Sequence, residues 1–282
     1  MPNRIRKSDF HPLIRIFVYI VVGIFSVLTL YPLFWLVISS LKTTTEFMKN
    51  PMGLPINVTF QNYPIAWARA QFSTLFINSL FFTIISTVTI IFLSLMAGFA
   101  FAKIRSRATP LLHGSFIMGI LLTLQSIMVP LFLVVNAIGL YNTRLGVLIP
   151  YVGMGMPMAI YLCTEFIKSI PDSVIESARI DGASYFRIFL SIVAPMAKPV
   201  AVTLAILNVA GTWNEFMLIN ILVSSDHLRT LPVGILKFSG TLASDYGRMF
   251  AALTVGMVPM LIFYLIFRKQ ITQGVSAGAV KG

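Results

Sequence analysis

The sequence has little charge for its length, and acidic residues are especially scarce. Of its 282 residues 57% are hydrophobic and 11% are charged, with 9 acidic against 21 basic residues. The mean hydropathy is +0.88. A water-soluble domain needs far more polar surface than this composition supplies. The composition therefore excludes a soluble fold and indicates an integral membrane protein.

The residues that usually carry enzyme chemistry are also scarce. Cys163 is the single cysteine, which excludes an intrachain disulfide and a thiolate metal site. His11, His113 and His227 are far apart and lie in no zinc-binding pattern, and the chain has neither a P-loop nor a serine nucleophile motif. We therefore expect no catalytic residue, metal or cofactor in this chain, which argues against a membrane enzyme or assembly factor. If ATP drives the protein, ATP and Mg²⁺ bind to another subunit.

Long uncharged runs dominate the chain. They cover 16–41, 70–102, 108–143, 145–164, 199–214 and 249–267, and the fifth continues to 225 with only Glu215 interrupting it. A bilayer core of about 30 Å is crossed by roughly 20 apolar residues in a helix. The sequence therefore predicts an all-α membrane protein with six transmembrane helices, the first of them an uncleaved N-terminal span.

The basic residues predict the orientation of these spans. Most of the 21 lysines and arginines fall at the N-terminus, between the second and third runs, within 165–198 and after the last run. By the positive-inside rule, both termini, residues 165–198 and the tail 269–282 are cytoplasmic. The net charge of +12 is then explained by topology and contact with anionic membrane lipid. We expect no nucleic-acid partner.

Residues 171–199 are the one polar stretch of any length. Ser173 and Glu176 have the spacing of a capping box, which predicts a helix that begins near Ser173. Gly182 is placed to end that helix in a left-handed conformation, and Ser184 to cap a second one. The expected product is a helix, a turn and a helix.

The first of these helices is predicted to be amphipathic. Its apolar side comprises Val174, Ile175 and Ala178, and its polar side Glu176, Arg179 and Asp181. Such a helix suits docking into a groove of a partner protein, although amphipathic helices also lie flat on bilayers. The helix alone leaves both uses open.

The residue order of this stretch resembles the EAA loop of membrane subunits of binding-protein-dependent ABC importers. The matching residues are Glu176, Ser177, Ala178, Gly182, Ala183, Phe189, Pro195 and Pro199, with Ser177 in the place of the first alanine of the family. Three further segments add to the resemblance: 213–216, 230–234 and the small-residue end 274–282. Together they are similar to the carbohydrate-uptake branch, and within it to the maltose-system permease with the shorter first outer loop. The glycine and proline spacing favours docking over the interfacial helix.

The resemblance implies a type I ABC importer permease fold, with residues 1–282 as one transmembrane domain in a bacterial cytoplasmic membrane. It implies three kinds of protein partner: a second, different permease, two ATP-binding subunits and an extracytoplasmic solute-binding protein. It also implies that residues 165–198 form the cytoplasmic coupling loop. The residues expected to contact the ATP-binding subunits are Glu176, Ser177, Ala178, Arg179, Asp181, Gly182 and Ala183. The tail 269–282 either enters a cleft between those subunits or is a free end.

The two segments expected on the outer side differ. Residues 42–69 are interpreted mainly as a plain connector. Residues 226–248 are long for a link between adjacent helices, and long loops are often functional. In the resembled family the matching loop reaches toward the solute-binding protein.

Polar residues within the runs are costly in lipid, so they should face another helix or a water-filled path. The residues predicted to line a solute path are Gln125, Asn208, Trp213, Asn214 and Glu215, and Asn136 and Asn220 are further polar groups. An indole beside an amide and a carboxylate suits a neutral, hydroxyl-rich solute such as an oligosaccharide. Hydrogen bonding between helices is an equally open interpretation. A polyol or glycerol-phosphate solute remains an alternative, as does a stand-alone secondary transporter.

Overall fold

The computed structural model describes residues 12–69, 71–104, 106–236 and 245–279, with side chains placed to residue 270 except that of Arg69. This part of the chain is helical and contains no strand. The helices are α1 Pro12–Ser40, α2 Thr44–Lys49, α3 Asn62–Arg69, α4 Phe72–Lys103, α5 Thr109–Gly119, α6 Leu124–Ala137, α7 Arg144–Lys168, α8 Asp172–Ile180, α9 Tyr185–Ile188, α10 Ala194–Met196, α11 Lys198–Asn214, α12 Met217–Leu222, α13 Leu231–Ile235 and α14 Tyr246–Ala279. A π-helical turn, Phe189–Val193, joins α9 to α10, and a 3₁₀ turn, Asp226–Leu228, precedes α13.

Four of these helices, α1, α4, α7 and α14, are long and apolar enough to cross a bilayer. Two pairs pass the same test only together: α5 with α6, bent by 106°, and the helix through Tyr185–Met196 with α11, bent by 73°. The described residues therefore hold four to six spans, and the all-α prediction is confirmed. The third run, 108–143, is not one straight helix, because Thr123 takes an extended backbone and α6 begins anew after it.

The larger of two compact units comprises the described residues of Trp67–Lys237 and Gly256–Gly282. Its centre is the packing of α4 along α7 and α11. Gly98 permits this close approach, because a β-carbon there would lie 2.7 Å from Cβ of Cys163. Around that contact Ile90, Phe99 and Leu204 join one buried apolar cluster. Close packing of this kind fixes the relative positions of α4, α7 and α11.

The smaller unit comprises the described residues of Met1–Ala66 and Phe238–Val255. It is built around Lys42, which is fully buried. The Lys42 ammonium donates to the carbonyls of Asn50 and Gly53, at the end of α2 where the helix dipole favours a cation. The Asn62 amide donates to the carbonyls of Ser40 and Lys42. Much of segment 42–69 is therefore an organised fold, unlike the plain connector expected for most of it.

Two predicted features fall partly outside the described residues. In the long loop 226–248, the structure describes the two ends, and 237–244 lie outside it. In the tail 269–282, the backbone continues α14 as a helix to Ala279, where the sequence predicted a flexible end. Residues 280–282 and the basic N-terminal residues Arg4, Arg6 and Lys7 also lie outside the described range.

Candidate functional site

The polar stretch folds into α8, a turn and α9, as predicted, but α8 begins differently. Its N-cap is Pro171, and no side chain caps the first turn, so the predicted capping box of Ser173 and Glu176 is wrong. The reason is register: α8 begins at Asp172, which places Ser173 inside the helix. The Asp172 carboxylate then lies in the first turn, where the helix dipole favours negative charge.

Lys103, the last residue of α4, positions the start of α8. Its side chain is 5% exposed and its ammonium lies 2.6 Å from the Asp172 carboxylate. The same ammonium donates to the carbonyl of Ile170. Sequence reasoning counted Lys103 only as a basic residue next to a span. The contact joins residues 69 positions apart, a pairing that no local sequence signal shows.

The end of α8 is confirmed in detail. Gly182 has φ +78, its N–H donates to the Arg179 carbonyl and the next N–H, of Ala183, donates to the Ala178 carbonyl. These are the two hydrogen bonds of a Schellman motif. Ser184 then caps α9 by accepting from the Arg187 N–H.

The predicted faces of α8 are also confirmed. Ile175 and Ala178 are buried in the cluster that contains Phe99 of α4. In contrast, Glu176 and Asp181 are exposed. The remaining predicted coupling residues follow this division: Arg179 and Ser177 are exposed, with the guanidinium 5.0 Å from the ring centre of Tyr185, and Ala183 is half-buried. The seven residues therefore share one capped turn whose apolar side is fixed to the core and whose polar side is free to meet a partner.

A second group of polar residues lies where the fifth run breaks. The helix α11 ends at Asn214, Glu215 is extended, and α12 begins at Met217. One Glu215 carboxylate oxygen accepts from the Leu218 N–H at 2.7 Å, and the other accepts from the Ile219 N–H at 3.3 Å. Glu215 therefore satisfies backbone donors that the start of α12 would otherwise leave unpaired.

The second oxygen of Glu215 also accepts from the Tyr151 hydroxyl of α7, at 2.7 Å. Tyr151 is a residue that sequence reasoning missed. From sequence alone, a tyrosine in an apolar run is interpreted as a buried core residue. Its polar partner, the Glu215 carboxylate, is distant in sequence and is seen only in the folded structure. The carboxylate thus connects α11, α12 and α7.

Two other predicted path residues, Trp213 and Asn214, directly precede this break. Trp213 is buried and its indole N–H donates to the Gly256 carbonyl at 3.3 Å. Asn214 is exposed, and its amide donates to the Ala210 carbonyl of its own helix. The structure therefore turns Trp213 into the protein and Asn214 out of it.

Gln125 and Asn208 lie apart from each other. Gln125 is exposed, with its amide 4.0 Å from the sulfur of Met217 at the start of α12. Asn208 lies nearly two turns before the break, where its amide donates to the Leu204 carbonyl and its oxygen lies close to Gly155 of α7. The structure thus brings Gln125 beside the break and leaves Asn208 separate from it.

The described start of the loop 226–248 is fastened at several points. Asn142, with φ +58, accepts from the N–H groups of Ser224 and Ser225 and donates its side-chain amide to the Ser225 hydroxyl. Asn78 of α4 donates to the carbonyls of His227 and Arg229. These hydrogen bonds hold the described start of the loop in place against α4 and Asn142. Neither asparagine was singled out from the sequence.

Comparisons with known proteins agree with this architecture. Residues 90–277 match the family described as the binding-protein-dependent transport system inner membrane component. The multiple sugar-binding transport system permease protein MsmG of Streptococcus mutans is 34% identical over 93% of this chain and 96% of its own length. The trehalose transport system permease protein SugB of Mycobacterium tuberculosis is 34% identical over 90% and 93%.

A solved structure shows the same fold. A bacterial ABC transporter chain involved in the import of the acidic polysaccharide alginate matches with a TM-score of 0.81 at 24% identity, over 95% of this chain and 99% of that one. At this identity the likeness supports the fold alone. The family model matches two thirds of the residues, and MsmG and SugB are each 34% identical over at least 90% of the chain. The chain therefore belongs to the inner-membrane permease components of binding-protein-dependent ABC transport systems.

Proposed function

We propose that this chain is one permease subunit of a bacterial importer for a sugar. In this proposal it pairs with a second, different permease, two ATP-binding subunits supply the energy, and an extracytoplasmic binding protein delivers the solute. The family match supports the machinery, and the sugar transport named for both permease relatives supports the solute class. Both termini and residues 165–198 are cytoplasmic in this proposal, and residues 1–282 form one transmembrane domain.

The observation that carries the proposal is the capped turn of α8. Its polar residues are exposed while Ile175 and Ala178 are buried against the ends of spans. A helix that docks sideways into a groove needs this division. We infer that residues 176–183 contact an ATP-binding subunit.

The same contacts suggest how a movement is transmitted. Lys103 ties the start of α8 to α4, and the buried side of α8 packs in the cluster that includes Ile167 near the end of α7. Because packed interiors do not deform continuously, displacing α8 displaces the ends of both spans with it. Closure of the ATP-binding subunits would therefore change access to the path between the spans.

For the solute path we propose the polar residues at the break of the fifth run, Gln125, Trp213, Asn214 and Glu215, together with Asn208 nearly two turns before it. The exposed Asn214 and Gln125 amides are best placed to reach a solute, since Glu215 and Trp213 already have protein partners. A nearby cavity of about 320 Å³ is lined by apolar residues of α5, α6 and α7. It offers no polar side chain, so it does not suit a hydroxyl-rich solute. A neutral oligosaccharide fits the amides better than a glycerol-phosphate, which calls for arginine or lysine in the path.

Site-directed crosslinking tests the docking of α8. In a Cys163→Ser background, Ser177→Cys places a thiol on the exposed polar side of the turn, and it should crosslink to cysteines in the groove of the ATP-binding subunit. Ser106→Cys, exposed on the same predicted side of the membrane, is the matched control and should crosslink weakly. If a panel of groove positions gives no crosslink in a complex that still imports solute, the docking assignment is wrong.

A genetic observation separates the importer from a stand-alone transporter. Genes for a second permease and a solute-binding protein beside this one would support the importer. Uptake by the purified chain alone in proteoliposomes, without ATP, would contradict it.

A further inference from the structure

The segment 51–60 of the smaller unit has an unusual surface. It contains no charged residue, and its even-numbered positions are all apolar: Met52, Leu54, Ile56, Val58 and Phe60. These five side chains are 55% to 80% exposed. Among the odd-numbered positions, Gly53, Pro55 and Thr59 are half-buried. The segment therefore turns its apolar side chains outward.

Two charges near this segment, those of Lys42 and Glu46, are turned inward, whereas Lys49, two residues before Pro51, is exposed. Lys42 is fully buried on backbone carbonyls, and the half-buried Glu46 accepts from the Ile56 N–H. A loop in water would show the reverse arrangement, because burying a charge costs free energy and exposing apolar groups gains none. The surface of the segment is suited to an apolar medium.

Three contacts show where the segment lies along α1. The Trp35 indole donates to the Pro51 carbonyl at 2.9 Å, and the Tyr31 hydroxyl lies 3.7 Å from the sulfur of Met52. The Thr59 N–H then donates to the Leu41 carbonyl at 2.9 Å. From Ser40 back to Tyr31 is nine residues, or about 13 Å at the helical rise of 1.5 Å. The chain therefore runs back along α1 to Tyr31 and returns to the helix end at Leu41.

The depth of this excursion follows from the span itself. After Arg15, the one charged residue of α1, about 20 helical residues cross a 30 Å core. Counted from Ile16, the twentieth residue is Trp35. Tryptophan and tyrosine favour the membrane–water interface. Pro51 and Met52, which contact Trp35 and Tyr31, are thus at the level of the headgroups and the adjoining acyl chains.

We propose that residues 52–60 are an interfacial anchor that lies in the bilayer surface beside the C-terminal end of α1. The partner is phospholipid, in the outer leaflet for the orientation proposed above. The inference depends on the membrane location of the chain and not on its solute. Contact with lipid also explains the orientation of the apolar side chains. Moving their apolar surface out of water is favourable by a free energy of roughly 25 cal/mol per Å².

Continuity with α1 favours lipid over a protein partner. Tyr31, which contacts the segment, and Leu28 and Phe34, which lie three residues before and after it on α1, are exposed by more than half. Neither the segment 51–60 nor residues 16–40 of α1 contain a charged residue. Because α1 is a candidate span that contacts lipid, the exposed apolar side chains of the adjoining segment are expected to contact lipid as well.

Spin labelling of the assembled importer in phospholipid vesicles tests the anchor. In the Cys163→Ser background, labels are attached singly at Met52→Cys and Ile56→Cys, with Asn57→Cys as the matched control. Asn57 is also exposed but is polar and adjacent in sequence. Collision rates with oxygen, which concentrates in lipid, and with a water-soluble nickel chelate are then measured. Each labelled complex must retain ATP-dependent uptake.

The labels at positions 52 and 56 should collide with oxygen several-fold more than with the nickel chelate, and the label at 57 should show the opposite preference. Strong nickel collisions at position 56 would place the segment in water and overturn the proposal. Weak collisions with both reagents at position 56 would show that protein, such as the second permease, covers the segment, and would overturn it equally.

Discussion

Two helix breaks in the larger unit solve the same physical problem in different ways. At Gly182 the chain leaves α8 by a backbone turn, and the hydrogen bonds that close it are between main-chain groups. At Glu215 the chain leaves α11 inside an apolar run, and a carboxylate satisfies the exposed amides of α12 while binding Tyr151. Near water a glycine is enough to end a helix. Where the apolar run packs inside the protein, a side chain and a distant helix supply the partners instead.

The break at Gly182 should be the more sensitive for transport, although little packs against it. A β-carbon there would meet nothing within 4 Å, so only the positive φ opposes substitution. A non-glycine residue in this conformation costs roughly 1–2 kcal/mol, and a β-branched one more. Gly182→Val should therefore disturb the turn and abolish uptake, while the subunit still inserts in the membrane.

Gly182→Asn is the matched control, because asparagine tolerates the left-handed conformation best among the other residues. It should retain most of the uptake that Gly182→Val loses. Uptake assays and membrane fractionation of both variants provide the measurement. Equal uptake by the valine variant and the native protein would show that the turn geometry does not matter for coupling.

The break at Glu215 should matter first for stability. Glu215→Ala leaves two amides and the Tyr151 hydroxyl without their acceptor, at an expected cost of about 2–3 kcal/mol. The variant should form less assembled complex in detergent and unfold at a lower temperature.

Asn214→Ala removes an exposed amide that donates only to a carbonyl of its own helix. It should therefore leave assembly intact, and it should reduce uptake if Asn214 contacts the solute.

This pair of variants separates the two roles open for the polar cluster. Glu215→Ala with normal assembly and selectively reduced uptake would make Glu215 a solute contact and not a cap. Unchanged uptake in Asn214→Ala would remove Asn214 from the proposed path.

The contact between Tyr151 and Glu215 should contribute less than the whole cap. Tyr151→Phe removes one hydrogen bond and should lower the free energy of unfolding by about 1 kcal/mol. Tyr161→Phe changes a more exposed tyrosine of the same helix and should have little effect. Thermal unfolding of single and double variants with Glu215→Gln measures the coupling. Additive effects of the two substitutions would show that the hydroxyl and the carboxylate do not interact energetically.

The contrast between the breaks also explains what the sequence could predict. Gly182 and Ser184 were correctly predicted because their effects are local: a positive φ and a hydroxyl three residues before an amide. The apolar runs likewise predicted the all-helical fold, since a bilayer dictates their length. The bend after Gly119 was missed, because an uncharged run does not show where its helix restarts.

Contacts between distant segments were not predictable from one sequence. Three contacts join residues more than 60 positions apart: Lys103 with Asp172, Tyr151 with Glu215, and Asn142 with Ser224 before the loop 226–248. Their partners follow from packing, which a linear pattern does not encode. The roles proposed for the polar path residues stay predictions for the same reason.

The smallest expected effect separates a serine that caps a helix from one that only has the sequence spacing to do so. Ser184 accepts from the Arg187 N–H, whereas Ser173 lies inside α8 and caps nothing. Losing a serine cap costs about 1 kcal/mol, which corresponds to roughly fivefold faster exchange of the amide protons it protects. Ser184→Ala should therefore accelerate hydrogen exchange in residues 186–188, as measured by mass spectrometry.

Ser173→Ala is the matched control, a substitution of the same chemistry eleven positions earlier. It should leave hydrogen exchange in α8 unchanged or slow it slightly, because alanine is the better helix former. Faster exchange of α8 in the Ser173 variant would support the capping box that the sequence predicted and contradict the start of α8 at Asp172.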